Sequence, residues 1–265
     1  MTSAVTCGHP GVARPVAGSI RWTKLEDHAF AELLPSGCAS FQAMTFDQLR
    51  FIEVELQMPL MKLPVRTSLI ELERARVLLS PGSTLTEAQL RDAGEVTDII
   101  APNLLHAGGV KAAAAAHPRA RLWGPVGIKE KFPGLSWHGI LGVDAWPYEG
   151  ELGHVALRGR PGFNESVFLH HRSKVLLVSD LVFNIEETRG IGPWLILHVF
   201  GTYRRLGVSR LFLRYVKDRA AFQESIERIA ALDFSHVAPA HGRVVSEEGK
   251  AKLLAALRER GYVAV

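Results

Sequence analysis

Ala101-Pro102-Asn103-Leu104-Leu105-His106-Ala107-Gly108-Gly109 follows the short apolar run Val96-Thr97-Asp98-Ile99-Ile100 and leads into an alanine-rich stretch. A buried strand that ends in a loop carrying an imidazole, with glycines before a helix, is the opening of a strand–loop–helix unit. Two further patches repeat the device. Val178-Ser179-Asp180-Leu181 and Ala238-Pro239-Ala240-His241-Gly242 each set a potential metal ligand directly after an apolar run. Two imidazoles and one carboxylate delivered from strand ends are a donor set suited to a transition metal.

Outward from these patches the apolar pattern predicts strands on both sides. Residues 51–56 alternate, and residues 68–72 and 76–80 read as a hairpin pair across Glu73 and Arg74, ended by Pro81-Gly82. Thr86 with Gln89 three residues on is a capping-box signature for a helix that reaches Gly94. Strands are predicted at 96–100, 119–124, 154–157, 166–170, 174–178 and near 235–237, with a helix at 109–117 stopped by Pro118. His170-His171-Arg172-Ser173 reads as an exposed turn between two of them. Residues 185–231 read as helical, with Phe222, Ile226 and Ile229 on one face. A last helix starts near Glu247, turns Leu253, Leu254 and Leu257 to the core, and stops at Gly261. This order predicts an α/β (α+β) architecture of two sheets with helices outside. The expected organisation is one domain over residues 41–265, with a helical insert at about 185–231, behind an N-terminal extension over residues 1–40.

Composition narrows the classes. A chain of 265 residues, 47% hydrophobic and 22% charged, has the make-up of a globular protein with a sizeable core. Its net charge of +4 suits an anionic substrate or partner, but without a gathered basic patch it gives no reason to expect nucleic acid. Cys7 and Cys38 can pair only with each other, which excludes a disulfide scaffold and favours a reducing, cytoplasmic home. No apolar run approaches the roughly 20 residues that span a bilayer. The basic first stretch, with no acid before Glu26, reads as a flexible tail or a transit peptide. No P-loop, G-x-G-x-x-G or G-x-S-x-G motif is present, which argues against the chemistries those loops serve.

The order of strands, and the ligand-bearing strand ends at His106, Asp180 and His241, resemble the metallo-β-lactamase superfamily, whose fold is a four-layer αββα sandwich of metal-dependent hydrolases. More narrowly, residues 100–106, residues 179–184 and the Arg-rich stretch after Asn184 resemble its uncharacterised branch DUF4336, over roughly residues 45–260. Active members of the superfamily carry H-x-H-x-D-H in the first loop. Setting Gly108-Gly109 against the glycine pair after that motif aligns Ala101, Asn103, Leu105 and His106 with its four ligand positions. The later histidine of the family falls near Arg160-Pro161-Gly162-Phe163, where none stands. The resemblance therefore implies that the first metal subsite has lost its imidazoles. The second keeps His106, Asp180 and His241 as metal ligands, with Leu105 in place of an aspartate.

Such a set suits one Zn²⁺ with an open position for an activated water, the metal-bound hydroxide of a hydrolase acting on an ester, thioester or similar carbonyl bond. It also suits a mononuclear Fe²⁺. In that reading Asp180, His241 and Asn103 are catalytic, Asn103 and Asn184 face a small-molecule substrate, and the cofactor is one divalent transition metal. The alternative is a catalytically silent binding or interaction protein on the same fold, holding no metal. Locally, His106 then caps the helix after Gly108, Asp180 accepts backbone N–H bonds in its turn, and His241 is a hydrogen-bonded loop residue. His138, His154, His198 and His236 lack partners at metal spacing and read as structural.

Residues 193–200, apolar all round, precede Tyr203, Arg204, Arg205, Arg210, Arg214, Lys217 and Arg219. This segment reads as a lid or subunit interface over a partly apolar, partly cationic pocket, as a membrane-surface helix, or as an ordinary buried helix with solvated arginines.

Overall fold

The computed structural model describes residues 46–186 and 190–262. The expected extension over residues 1–40, with Cys7 and Cys38, lies outside the described residues. Six strands form a first sheet in chain order: β1 (Leu49–Gln57), β2 (Lys62–Glu71), β3 (Arg76–Leu79), β4 (Asp98–Ile100), β5 (Arg121–Gly124) and β6 (Trp137–Ile140). The first three pair antiparallel, and β3 to β6 run parallel through the crossovers α1 (Glu87–Asp92), α2 (Val110–Ala116) and α3 (Ile128–Lys131). A second sheet holds β7 (Leu152–Ala156), β8 (Ser166–His170) and β9 (Val175–Val178) as antiparallel neighbours. The ribbon of β10 (Val182–Phe183) and β11 (Gly207–Val208) stands apart, and β12 (His236–Pro239) returns to pair with β9 in parallel. Four more helices complete the described chain: α4 (Ile191–Phe200), α5 (Arg210–Arg214), α6 (Arg219–Ala231) and α7 (Gly249–Arg258).

Strand alternation builds four layers. Successive side chains on a strand point to opposite faces. In β4, Ile99 faces out onto Leu90 of α1, Val110 of α2 and Ile128 of α3, while Ile100 faces in. In β9, Val175 and Leu177 face in and Leu176 faces out, toward Phe222 and Ile226 of α6 and Leu253 of α7. The inward set from the two sheets meets as one core: Ile70, Val77, Ile100 and Trp123 against Leu152, Phe168, Leu177 and Ala238. The α/β/β/α sandwich is therefore written in which residues alternate, and the predicted fold class holds.

Local signals hold as well. Thr86 Oγ1 accepts the Gln89 N–H while the Gln89 side chain reaches back to the Thr86 N–H, closing the capping box. Glu71 pairs with Arg76 at the hairpin end, where the turn was expected. Two readings need correction. Residues 185–231 are not all helical, since Ile185 bridges Tyr203 and Gly207–Val208 is a strand. His170 is not exposed: it is the last residue of β8, only 1% accessible, with Nδ1 at 2.8 Å or less from a hydroxyl, that of Ser173 at 2.7 Å.

Burial, and then the neighbouring His171 and Arg172, lower the His170 pKa. The neutral form is thus favoured when folded, and stability is lost as pH falls below the unfolded value of about 6.5. Replacing His170 with Gln should shrink the drop in urea midpoint between about pH 7.5 and about pH 5.5, relative to the parent protein. An equal drop in both proteins would assign the acid sensitivity to other groups.

Candidate metal centre

The parallel register of β9 and β12 sets the first two donors side by side. Val178 pairs with Pro239, so Asp180 and His241, each two residues further on, leave adjacent strands at the same height. The loop after β4 supplies His106 from the other sheet, and backbone bonds hold the two sheets together there: Ser166 N–H to Pro102 O at 2.8 Å and Leu104 N–H to Phe163 O at 3.0 Å.

The three side chains converge. His106 Nε2 lies 3.0 Å from His241 Nε2 and 3.2 Å from Asp180 Oδ2, and His241 Nε2 lies 3.3 Å from Asp180 Oδ1. Among the described residues this is the group of three whose donor atoms all fall within 4.8 Å of one another. Bonds of about 2.0–2.2 Å to a tetrahedral ion separate its ligand atoms by about 3.3–3.6 Å, and with one atom from each residue the three donors here all lie within 4.8 Å of one another, close enough to share one ion. His241 Nδ1 sits 2.8 Å from Pro64 O, a group that only accepts, so Nδ1 carries a proton there and Nε2 is the ring nitrogen that faces the centre. His106 Nδ1 is held by Ser80 Oγ at 2.8 Å. Orienting partners on the far ring nitrogen are the usual support of ligating histidines. The residues fit a divalent transition metal.

Electrostatics follow from the burial. Burial opposes charge on His106, but the Asp180 carboxylate outweighs it and raises the imidazole pKa. Asp180, despite a burial penalty, is held well below the usual carboxylate range by His106 and His241. Behind it lies Glu165, pushed up to about 8 by burial and by the Asp180 charge. Its carboxyl accepts the N–H groups of Ser179 at 2.9 Å and Asp180 at 3.1 Å, fixing the turn that presents Asp180.

Each expected residue finds a definite place. His106, Asp180 and His241 all line one cavity, as does Leu105. Asn103 does not: it is fully buried, its Nδ2 donates to Asp180 Oδ2 at 2.8 Å, and its Oδ1 accepts the N–H groups of Leu105 and His106, both at 2.8 Å. It positions two of the three donors instead of facing a substrate. Asn184 is likewise turned away from the cavity, with Nδ2 on Arg243 O at 2.9 Å. His106 does not cap α2, which has no side-chain cap. In the segment expected to hold the family's later histidine, Arg160 stacks 3.6 Å from the Phe163 ring centroid and 4.3 Å from that of Phe212. His138 meets the Trp123 edge, His154 pairs with Glu149, and His198 and His236 bond to Trp194 O and Ser246 O. None joins the centre.

Replacing Asn103 with Ala orphans the N–H groups of Leu105 and His106 and removes one of the contacts to Asp180 Oδ2, for a cost of about 1–3 kcal/mol. Chemical denaturation should show that loss, and a change under about 0.5 kcal/mol would mean the turn holds without its amide.

Sequence reasoning missed the supports. Arg66, 5% accessible, donates to Pro239 O, to Gly242 O at 2.6 Å and to Glu53 Oε1 at 2.5 Å, gripping the loop on both sides of His241. Gly242 has φ +100°, and a Cβ there would meet Asn184 O at 2.0 Å, so only glycine lets the two loops touch. A polar run, Arg66-Thr67-Ser68, inside an otherwise apolar strand was the available signal for Arg66. For Glu165 it was a lone acid directly before the apolar run of β8.

The cavity measures about 530 Å³. Ile196, Leu197 and Phe200 of α4 form one wall, whereas Ile191, Trp194, Leu195 and Val199 on its other side are exposed. One face of this largely apolar helix walls the cavity, and the other presents its large apolar side chains to solvent. Among the described residues, no Lys or Arg borders the cavity, and Arg205 pairs with Glu259.

Two facing sheets, helices on both outer faces and donors gathered at strand ends define the metallo-β-lactamase fold. Solved structures similar to this chain have that fold. A metallo-beta-lactamase from Pontibacter korlensis superposes with a TM-score of 0.58 at 13% identity, over 81% of this chain and 97% of that one. The metallo-beta-lactamase FIM-1 from Pseudomonas aeruginosa in its mono-zinc form gives 0.56 at 13% identity, over 83% and 95%. A metal-soaked flavodiiron core from Synechocystis gives 0.53 at 13% identity, over 82% of this chain and 58% of that one. No protein-family model matches the chain, and no curated protein does. The likeness is one of fold.

Proposed function

We propose that this chain is a metal-dependent hydrolase with a reduced, single-metal site, cleaving an ester, thioester or similar carbonyl bond. The observation that carries the reading is the convergence of His106, Asp180 and His241 on a cavity floor, with His241 Nδ1 already committed to Pro64 O. A divalent ion held there supplies a Lewis acid and lowers the pKa of a water to about 7, with Zn²⁺ favoured over Fe²⁺ by the hydrolytic reading. The chain's own part is positional. Asn103 and Glu165 fix Asp180, Ser80 fixes His106, and Arg66 and Pro64 fix His241. The walls around the three side chains are mostly apolar.

The degenerate H-x-H-x-D-H positions, with Ala101, Asn103 and Leu105 where ligands stand in active relatives, support placing the chain near the DUF4336 branch. They also favour a second reading, a silent binding protein, because Arg160 and Phe163 stack on each other in the segment where the first subsite's later histidine falls. No helix among the described residues is long and apolar enough to cross a membrane.

Elemental analysis of purified protein, followed by a panel of carboxylic esters and thioesters, tests the proposal. One equivalent of zinc with hydrolysis that chelation removes and zinc restores is the expected result. Iron in its place with no hydrolysis would move the assignment to the mononuclear iron alternative. Protein that takes up neither metal on soaking ends the hydrolase reading.

A further inference from the structure

The cavity itself specifies what lies against the centre. Leu56, Leu63 and Val65 of the β1–β2 hairpin face it from one side, and Ile196, Leu197 and Phe200 of α4 from the other. Its polar end is the cluster of His106, Asp180 and His241. Among the described residues that line it there is no lysine or arginine, so the walls away from this cluster offer alkyl contact and no fixed cation. Leu105, 63% accessible and bordering the cavity, extends the apolar wall right up to His106.

We propose that this cavity is an acyl-binding site: it takes a neutral ester with a long unbranched alkyl chain, the chain between the hairpin and α4 and the carbonyl at His106, Asp180 and His241. The ester assignment rests on the hydrolase reading, whereas the alkyl site rests on the walls alone. The physical logic is burial. Each methylene that leaves water for an apolar wall tightens binding by about threefold to fourfold, until the cavity is full.

Calorimetric binding of linear methyl ketones to the purified full chain tests this, since they are neutral and carry a carbonyl that is not hydrolysed. Over a series from about six to about fourteen carbons, Kd should fall about threefold to fourfold per methylene and then level off. Ile196→Trp and Leu56→Trp fill the cavity from opposite walls at partly buried positions, and each should weaken the longest ketones at least about tenfold. Circular dichroism confirms that each variant is folded, and either one alone suffices for the test.

A flat series, or folded plug variants with unchanged affinity, would overturn the acyl site. Metal content of the same samples reports separately on the hydrolase. A length-dependent series in protein that cannot be loaded with metal removes the hydrolase and keeps the alkyl site. A flat series in protein that binds one equivalent of metal does the reverse.

Discussion

In the Asp180→Ala variant, Zn²⁺ or anaerobic Fe²⁺ raises the melting temperature by no more than about 1–2 °C. In the parent protein, metal at a hundredfold its Kd adds about 2.7 kcal/mol, or about 5–11 °C at the roughly 2–4 °C per kcal/mol of a domain this size. Asp180 is the single anionic donor among the three, and it touches both imidazoles. Without it two neutral nitrogens remain, and a hundredfold loss of affinity leaves only about 0.4 kcal/mol, a shift of about 1–2 °C. Each protein is referred to its own metal-free midpoint, so the loss of the Asn103 contact in the variant does not enter the comparison. An unchanged shift in Asp180→Ala would place the ion elsewhere on the chain.

The largest expected effect on stability lies away from the centre, at Asp98. This carboxylate opens β4 with no solvent access at all. It accepts Trp123 Nε1–H at 2.8 Å, Tyr148 O–H at 2.6 Å, Thr97 Oγ1–H at 2.8 Å and Arg121 Nε–H at 2.9 Å. Burial, then the bond to Asp98, pushes the Tyr148 phenol up to about 12, so it remains a donor across the working range. Asp98→Ala strands these donors around a void, and breaking a buried charged network of this kind costs about 3–5 kcal/mol. The melting temperature should fall by about 6–20 °C, with Asp98→Asn losing less because one acceptor oxygen survives. A loss below about 1 kcal/mol in Asp98→Ala would show that water replaces the carboxylate without penalty.

Much of the layering was legible because strand alternation is local. Ile99 and Ile100, or Leu176 and Leu177, declare their opposite faces without knowledge of the fold. Elements carrying little periodicity were not: β6 interrupts its pattern with Gly139, α3 spans only Ile128–Lys131, and the β10–β11 ribbon has two residues per strand. The donors His106, Asp180 and His241 could be named because each ends an apolar run. What steadies them could not. Arg66 reaches Gly242 O from 176 residues away in sequence, and Glu165 acts through backbone N–H groups that leave no mark on residue type. Asn103 and Asn184 show the same limit. An amide near a site can face a ligand or lock a turn, and only the tertiary neighbours decide between the two.

The grip of Arg66 has a mechanical consequence. One guanidinium holds Glu53, on the strand that also contributes Leu56 to the cavity wall, together with the carbonyls on either side of His241. The hairpin and the imidazole's seat are therefore tied as one rigid lever. A guest that wedges the hairpin outward tugs on the loop carrying a donor, and a donor loop drawn inward tightens the hairpin.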